Sequence, residues 1–133
     1  MPSLNAHVEQ RLQNDPIVWL ITVRPDGRPH VVPVWFFWDG ETFLICSQPN
    51  TQKLRNLRQN PHVMLALDGT GNLGDDVVVV EGTAELLNES SWSMLRADPS
   101  IAEKYDTLLK SMNTDLQALA ADYSQPIRVT PTR

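Results

Sequence analysis

The 133-residue chain has a single cysteine, Cys46, which excludes an intrachain disulfide and a cysteine-rich zinc centre. It has no apolar run approaching the roughly 20 residues that a membrane-spanning helix needs. Its first residues, Met1-Pro2-Ser3-Leu4-Asn5, lack the basic start and apolar stretch of a secretory signal. An excess of positive charge is missing too. Sixteen acidic side chains against eleven Lys and Arg leave a net charge of −5. That argues against a general binder of nucleic acid or anionic membrane, whose affinity comes from neutralising phosphates. Internal repeats, low-complexity tracts and linkers are also absent. These features predict one cytoplasmic domain over residues 1–133, with neither nucleic acid nor membrane as a partner. A chain of this length buries about two-thirds of its unfolded surface, enough for a core without staples.

What is present is unevenly distributed. Residues 17–68 are dense in Val, Ile, Trp and Phe, whereas residues 88–123 turn to Leu, Ala, Glu and Met. The first stretch reads as sheet and the second as helix. Residues 17–23 and 30–38 are predicted strands joined by the turn Arg24-Pro25-Asp26-Gly27. Asp39-Gly40 is a hairpin signal in which both residues would take positive φ, leading to a third strand over 42–47. These three strands are expected to form an antiparallel meander. A helix over 51–59, capped by Asn50 or Thr51, precedes strands at 62–68 and 77–87. Asn88 and Asp98 are candidate caps for two further helices, the second with Pro99 at its first position. Another helical stretch spans 114–123, a sixth strand spans 125–130, and a short amphipathic helix opens the chain at 3–13. The predicted fold is mainly β with helices: a six-stranded antiparallel barrel, closed or split, which hides the edges of a short sheet.

Several apparent motifs carry little. Residues 69–74 match G-x-G-x-x-G, but Val77 to Val80 follow as strand, not as the helix a dinucleotide site requires. Asp75 and Asp76 have no His or third carboxylate at ligand spacing, so no metal is assigned. Cys46 lies in an apolar strand where an inert thiol is expected. His7, His30 and His62 read as surface residues, and no catalytic acid, base or nucleophile is evident.

The informative segment is residues 47–58. A strand delivers Ser47 to a break, and Thr51 opens a short helix whose free amides favour an anion. Leu54 and Leu57 share the buried face, with Lys53 and Asn56 on one flank and Arg55 and Arg58 on the other. Lys53 in the first turn opposes the helix dipole unless an anion offsets it. Pro33 interrupts an aromatic-rich strand, so that strand lies at an edge, is bulged, or borders something other than a strand.

Four stretches together resemble the pyridoxamine 5′-phosphate oxidase-like split-barrel flavin and deazaflavin oxidoreductases. They are residues 22–40 (TVRPDGRPHVVPVWFFWDG), 53–63 (KLRNLRQNPHV), 78–85 (VVVEGTAE) and 127–133 (IRVTPTR). The chain is most similar to short members that use FMN or the deazaflavin coenzyme F-420. The resemblance implies an FMN-binding split barrel, a homodimer, and a cofactor groove at the subunit interface. The backbone of Val32, Pro33, Val34 and Trp35 would lie against the tricyclic ring. Ser47 and Thr51 would donate to the phosphate, Lys53 would neutralise it, and Asn56 would stand nearby. Arg11, Arg55 and Arg58 are candidate contacts for the acidic tail of F-420, or else ordinary surface.

The chain departs from the oxidase itself in three places. Val31 or Val32 stands where an Arg is expected, Gln52 stands where a second basic residue is expected, and the extension that holds the vitamin substrate is not found. The implied activity is hydride transfer between FMN or F-420 and a small conjugated substrate. The alternative is a non-catalytic module that stores or senses flavin, haem or deazaflavin.

Overall fold

The computed structural model describes residues 6–69 and 76–132. Most of the G-x-G-x-x-G stretch, together with Asp75, falls outside them. In chain order the elements are α1 (Ala6–Asn14), β1 (Ile17–Val23), β2 (Pro29–Trp35), β3 (Phe37–Trp38), β4 (Phe43–Ser47), α2 (Gln52–Gln59), β5 (His62–Leu67) and β6 (Val78–Leu86). Helices α3 (Ser91–Arg96), α4 (Pro99–Ser111) and α5 (Leu116–Asp122) follow, then β7 (Gln125–Pro131). No helix among the described residues is long and apolar enough to cross a membrane.

The strands form one antiparallel sheet in the order β2-β1-β5-β6-β7-β4-β3. Its two end strands, β2 and β3, are consecutive in the chain and separated only by Phe36. The sheet therefore curls until its ends meet at one residue, which makes the split barrel. The single strand expected over 30–38 is thus two, and the described residues form seven strands rather than six. The cause lies at Phe36, whose backbone leaves the ladder. Its N–H donates to the Tyr105 hydroxyl at 2.8 Å, and its C=O accepts from Lys104 Nζ at 2.9 Å. The three-strand meander is corrected for the same reason. β1 pairs with β2 and β5, whereas β4 pairs with β3 and β7.

Two local expectations shift by a residue or two. The β3–β4 hairpin closes through Asp39 N–H to Thr42 C=O at 3.1 Å, leaving Gly40 and Glu41 as the central pair. Only Gly40 takes positive φ (99°), while the Asp39 carboxylate accepts from the Glu41 and Thr42 amides. The cap of α3 is Ser90 rather than Asn88, accepting from Ser93 N–H. Asp98 caps α4 with Pro99 at its start, as the sequence predicts.

Side-chain alternation divides the residues of the sheet cleanly. Val18 and Leu20 of β1, Leu65 of β5, Phe43 and Ile45 of β4 and Ile127 and Val129 of β7 point into the barrel with Leu54 and Leu57 of α2. A second cluster covers the outside of β4, where Leu44 meets Leu95, Ile101 and Ala120 of α3, α4 and α5. Inside the sheet, β6 and β7 approach closely at Gly82. A Cβ there would lie 2.8 Å from the Thr130 carbonyl oxygen and 2.9 Å from a Val129 methyl. Gly82→Ala is accordingly expected to cost about 1–3 kcal/mol by overpacking. Urea unfolding checks this, and an unchanged midpoint would contradict the close approach.

Candidate functional site

Among the described residues β2 is an end strand paired only with β1, and Pro33 stands opposite Trp19. Of the three placements proline allows, the structure takes the edge. The free side of β2 borders a cavity of about 630 Å³ lined by Val32, Pro33, Val34 and Trp35. Leu44 and Cys46 of β4 form its floor, α3, α4 and α5 its far wall, and Lys53 of α2 reaches into it. Such a volume is ordinary for a small-molecule site. Trp35 and Tyr105 stack at 4.5 Å with planes 8° apart, and both line the cavity, giving it a rigid aromatic wall. A more polar hollow of about 700 Å³ lies on the other side of Phe37. Its Asp39, Asp98 and Glu103 outnumber Lys104, so its charge is wrong for a phosphate.

The start of α2 is built from buried polar contacts. Ser47 is fully buried, and its hydroxyl donates to the Gln48 carbonyl at 2.8 Å and lies 3.2 Å from Thr51 Oγ1. Thr51 is the N-cap residue, but its side chain makes no capping hydrogen bond, so the first amides of the helix have no side-chain acceptor there. Lys53 is half-buried and has no ion-pair partner among the described residues. Burial alone pushes its ammonium below the usual lysine range. A half-buried cation in a first helical turn with no counterion fits an anionic ligand group, as the sequence suggests.

Asn56 is placed differently from its neighbour. It is fully buried, its amide donating to Thr22 Oγ1 at 2.9 Å and accepting from Gln52 Nε2 at 2.7 Å. The side chain that was expected beside Lys53 instead ties α2 to β1. The helical wheel misses this because a polar residue next to Leu57 reads as a flank position, and only the facing Thr22 makes its burial satisfiable.

The basic residues considered for an acidic tail divide similarly. Arg11 is buried and bonded to Asp15, Asp76 and the Asp68 carbonyl, so it clamps the two ends of the β5–β6 connection. Arg55 donates to the Asn50 carbonyl and to Gln52, and Arg58 is exposed. Asp76 is engaged by Arg11 and by His7 at 2.8 Å.

Cys46 faces the cavity, but burial pushes its thiol above the usual value, opposed by a hydrogen bond with Ser91. Burial thus disfavours the thiolate, the nucleophilic form. Tyr105, Lys104 and the three-helix wall escaped sequence reasoning. The i, i+4, i+8 spacing of Ile101, Tyr105 and Leu109 marks a buried stripe on α4, but nothing in it tells which backbone the hydroxyl meets.

A curled antiparallel sheet with an open edge strand, a cavity along that edge and an aromatic wall define a split-barrel protein. The chain belongs to the pyridoxamine 5′-phosphate oxidase family, whose model matches residues 4–125. No curated protein matches it. Among solved structures, one described as an F-420 reductase is 28% identical with a TM-score of 0.70, covering 100% of this chain and 97% of that one. A conserved hypothetical protein of Mycobacterium tuberculosis is 26% identical with a TM-score of 0.73, covering 100% of this chain and 83% of that one. HutZ, the haem storage protein of Vibrio cholerae, superposes with a TM-score of 0.73 at 16% identity, over 99% of this chain and 92% of that one. At that identity the likeness extends to the fold alone.

Proposed function

We propose that the protein is an oxidoreductase that binds FMN or the deazaflavin coenzyme F-420 in the groove along β2 and transfers a hydride to or from a small conjugated substrate. The observation that carries this reading is the pairing of an apolar cavity at the open edge of β2 with an uncompensated, half-buried Lys53. When bound, the tricyclic ring supplies the hydride chemistry; the chain supplies position, dryness and charge. The β2 backbone and the Trp35–Tyr105 pair orient the ring. Lys53, Thr51 and the free amides of α2 hold the phosphate. Ser47 positions Thr51, and Asn56 holds the helix start in place against Thr22. Similarity to the F-420 reductase favours the deazaflavin as one of the two candidates.

The groove is completed by a second copy of the chain. Ile17, Val31 and Val79 are 43%, 54% and 54% exposed on one face of the sheet, an apolar area suited to burial in a homodimer. A storage role for haem is less well supported, because it rests on a likeness of fold alone.

The reading is tested by loading the purified protein with FMN or F-420 and adding a reductant, then an electron acceptor. The visible band of the bound ring is expected to bleach and recover over repeated cycles. A ligand that binds but never cycles would leave a storage or sensing module. Failure of both coenzymes to bind would remove the reading altogether.

A further inference from the structure

His30 does not fit the surface role that its sequence context suggests. It stands across from Thr22 in the β1–β2 pair, and Thr22 is fully buried, so the imidazole lies on the inward side of β2 near α2. Its Nδ1 is buried and has no hydrogen-bond partner among the described residues. Buried polar atoms without partners are rare, and each calls for a physical reason. The charged groups acting on the ring are Arg24, at the end of β1, and Lys53 on α2. Arg28, in the same turn, is occupied by Asp26 at 2.9 Å, and Thr22 is neutral. Among the described residues no carboxylate offsets these positive charges at the ring. Burial and the two cations hold the imidazole below its ordinary pKa, which favours its neutral form.

We infer that His30 is a contact of the phosphate held at Lys53, with its unpartnered Nδ1 as the donor that the anion meets. The site thereby gains on β2 a cationic donor of its own where Val31 and Val32 supply none. A dianion beside the ring reverses the electrostatic balance and raises the imidazole pKa, so binding takes up a proton. By linkage, affinity for the phosphorylated ligand rises as pH falls from the bound-state pKa toward the free-state value, by up to about tenfold per unit. Above the bound-state pKa the gain is lost.

The inference rests on the phosphate placement proposed above, and the experiment separates the two. The His30 ring resonance is followed by NMR through pH 5–8 with and without inorganic phosphate, with His30→Gln to assign it and His7 and His62 as internal references. Calorimetric titration with FMN and with riboflavin, which lacks the phosphate, is run in buffers of different ionisation enthalpy. Near neutral pH the phosphate's own second ionisation, near about 6, contributes little and cancels against the variant.

The expected result is an upward shift of the His30 titration by about one unit or more with phosphate. FMN binding then takes up part of a proton in the wild type, but not in His30→Gln and not with riboflavin. An unmoved His30 titration, with FMN still tighter than riboflavin, overturns the inference and leaves the phosphate placement standing. Equal binding of FMN and riboflavin, with His30 still shifted by inorganic phosphate, upholds the anion contact and removes the flavin from it. If neither effect appears, both fall.

Discussion

Replacing Lys53 with alanine is expected to weaken binding of FMN or F-420 by about 10- to 150-fold, the loss of one charge-assisted contact of ~1.5–3 kcal/mol. The same substitution is expected to leave the apoprotein at least as stable as the wild type. The reason is the direction of the lysine's pKa shift. Burial lowers the folded-state value, so between that value and the ordinary 10.5 the unfolded chain binds more protons. Stability therefore rises with pH through that window, and at neutral pH the charged lysine is a burden that only a bound anion relieves. Alanine removes the burden together with the contact. A structural lysine would show the opposite pairing, with stability lost and affinity changed only as a consequence. Fluorescence titration and thermal melts of the same two proteins separate these outcomes. Equal affinities would take Lys53 out of the site.

The second large effect is expected at the seam. Tyr105→Phe keeps the ring and its stack on Trp35 but deletes the hydroxyl that accepts from Phe36 N–H. That hydroxyl's single proton is shared between the carbonyls of Phe36 and Pro16, at 2.6 and 2.8 Å. Lys104 still serves the Phe36 carbonyl, so the main loss is a buried amide left without an acceptor and a Pro16 carbonyl without its donor. A cost of about 2–3 kcal/mol follows, lowering the melting temperature by roughly 10 °C. Because the seam joins β2 to β3, loosening it also widens the cavity wall, so affinity falls modestly, by less than for Lys53→Ala. Burial and the apolar surroundings hold the Tyr105 phenol well above its ordinary pKa, so its hydroxyl stays protonated and the bridge is insensitive to pH up to that range. An unfolding midpoint equal to that of the wild type would mean that water replaces the hydroxyl without loss.

These two residues also show what the sequence does and does not disclose. Lys53 was legible because its position is locally anomalous: a cation in a first helical turn, next to a proline-broken strand. Pro33 was legible on the same ground, since a missing donor restricts where a strand sits whatever the rest of the chain does. The seam was not legible. Residues 30–38 have uniform strand character, and what divides them is a tyrosine 69 positions away, whose hydroxyl replaces the ladder at Phe36. The pairing order was hidden for a related reason. Short turns suggest neighbours, yet β4 finds β7 rather than β2, because the sheet buries its inward faces only by curling. Asn56 and His30 mark a further limit. Sequence pattern assigns a polar residue to a face by period, but whether it is satisfied there depends on partners from other elements. For Asn56 the partner is Thr22; for His30 Nδ1 there is none among the described residues.

The most direct measurement of the central claim is a crystal structure of the protein grown with FMN and, separately, with F-420. The account predicts the flat ring against the Val32–Trp35 backbone, phosphate oxygens within hydrogen-bonding distance of Lys53, and a second copy of the chain closing the groove. A ring bound elsewhere, or a groove filled by the protein's own side chains while the coenzyme is present in excess, would contradict it.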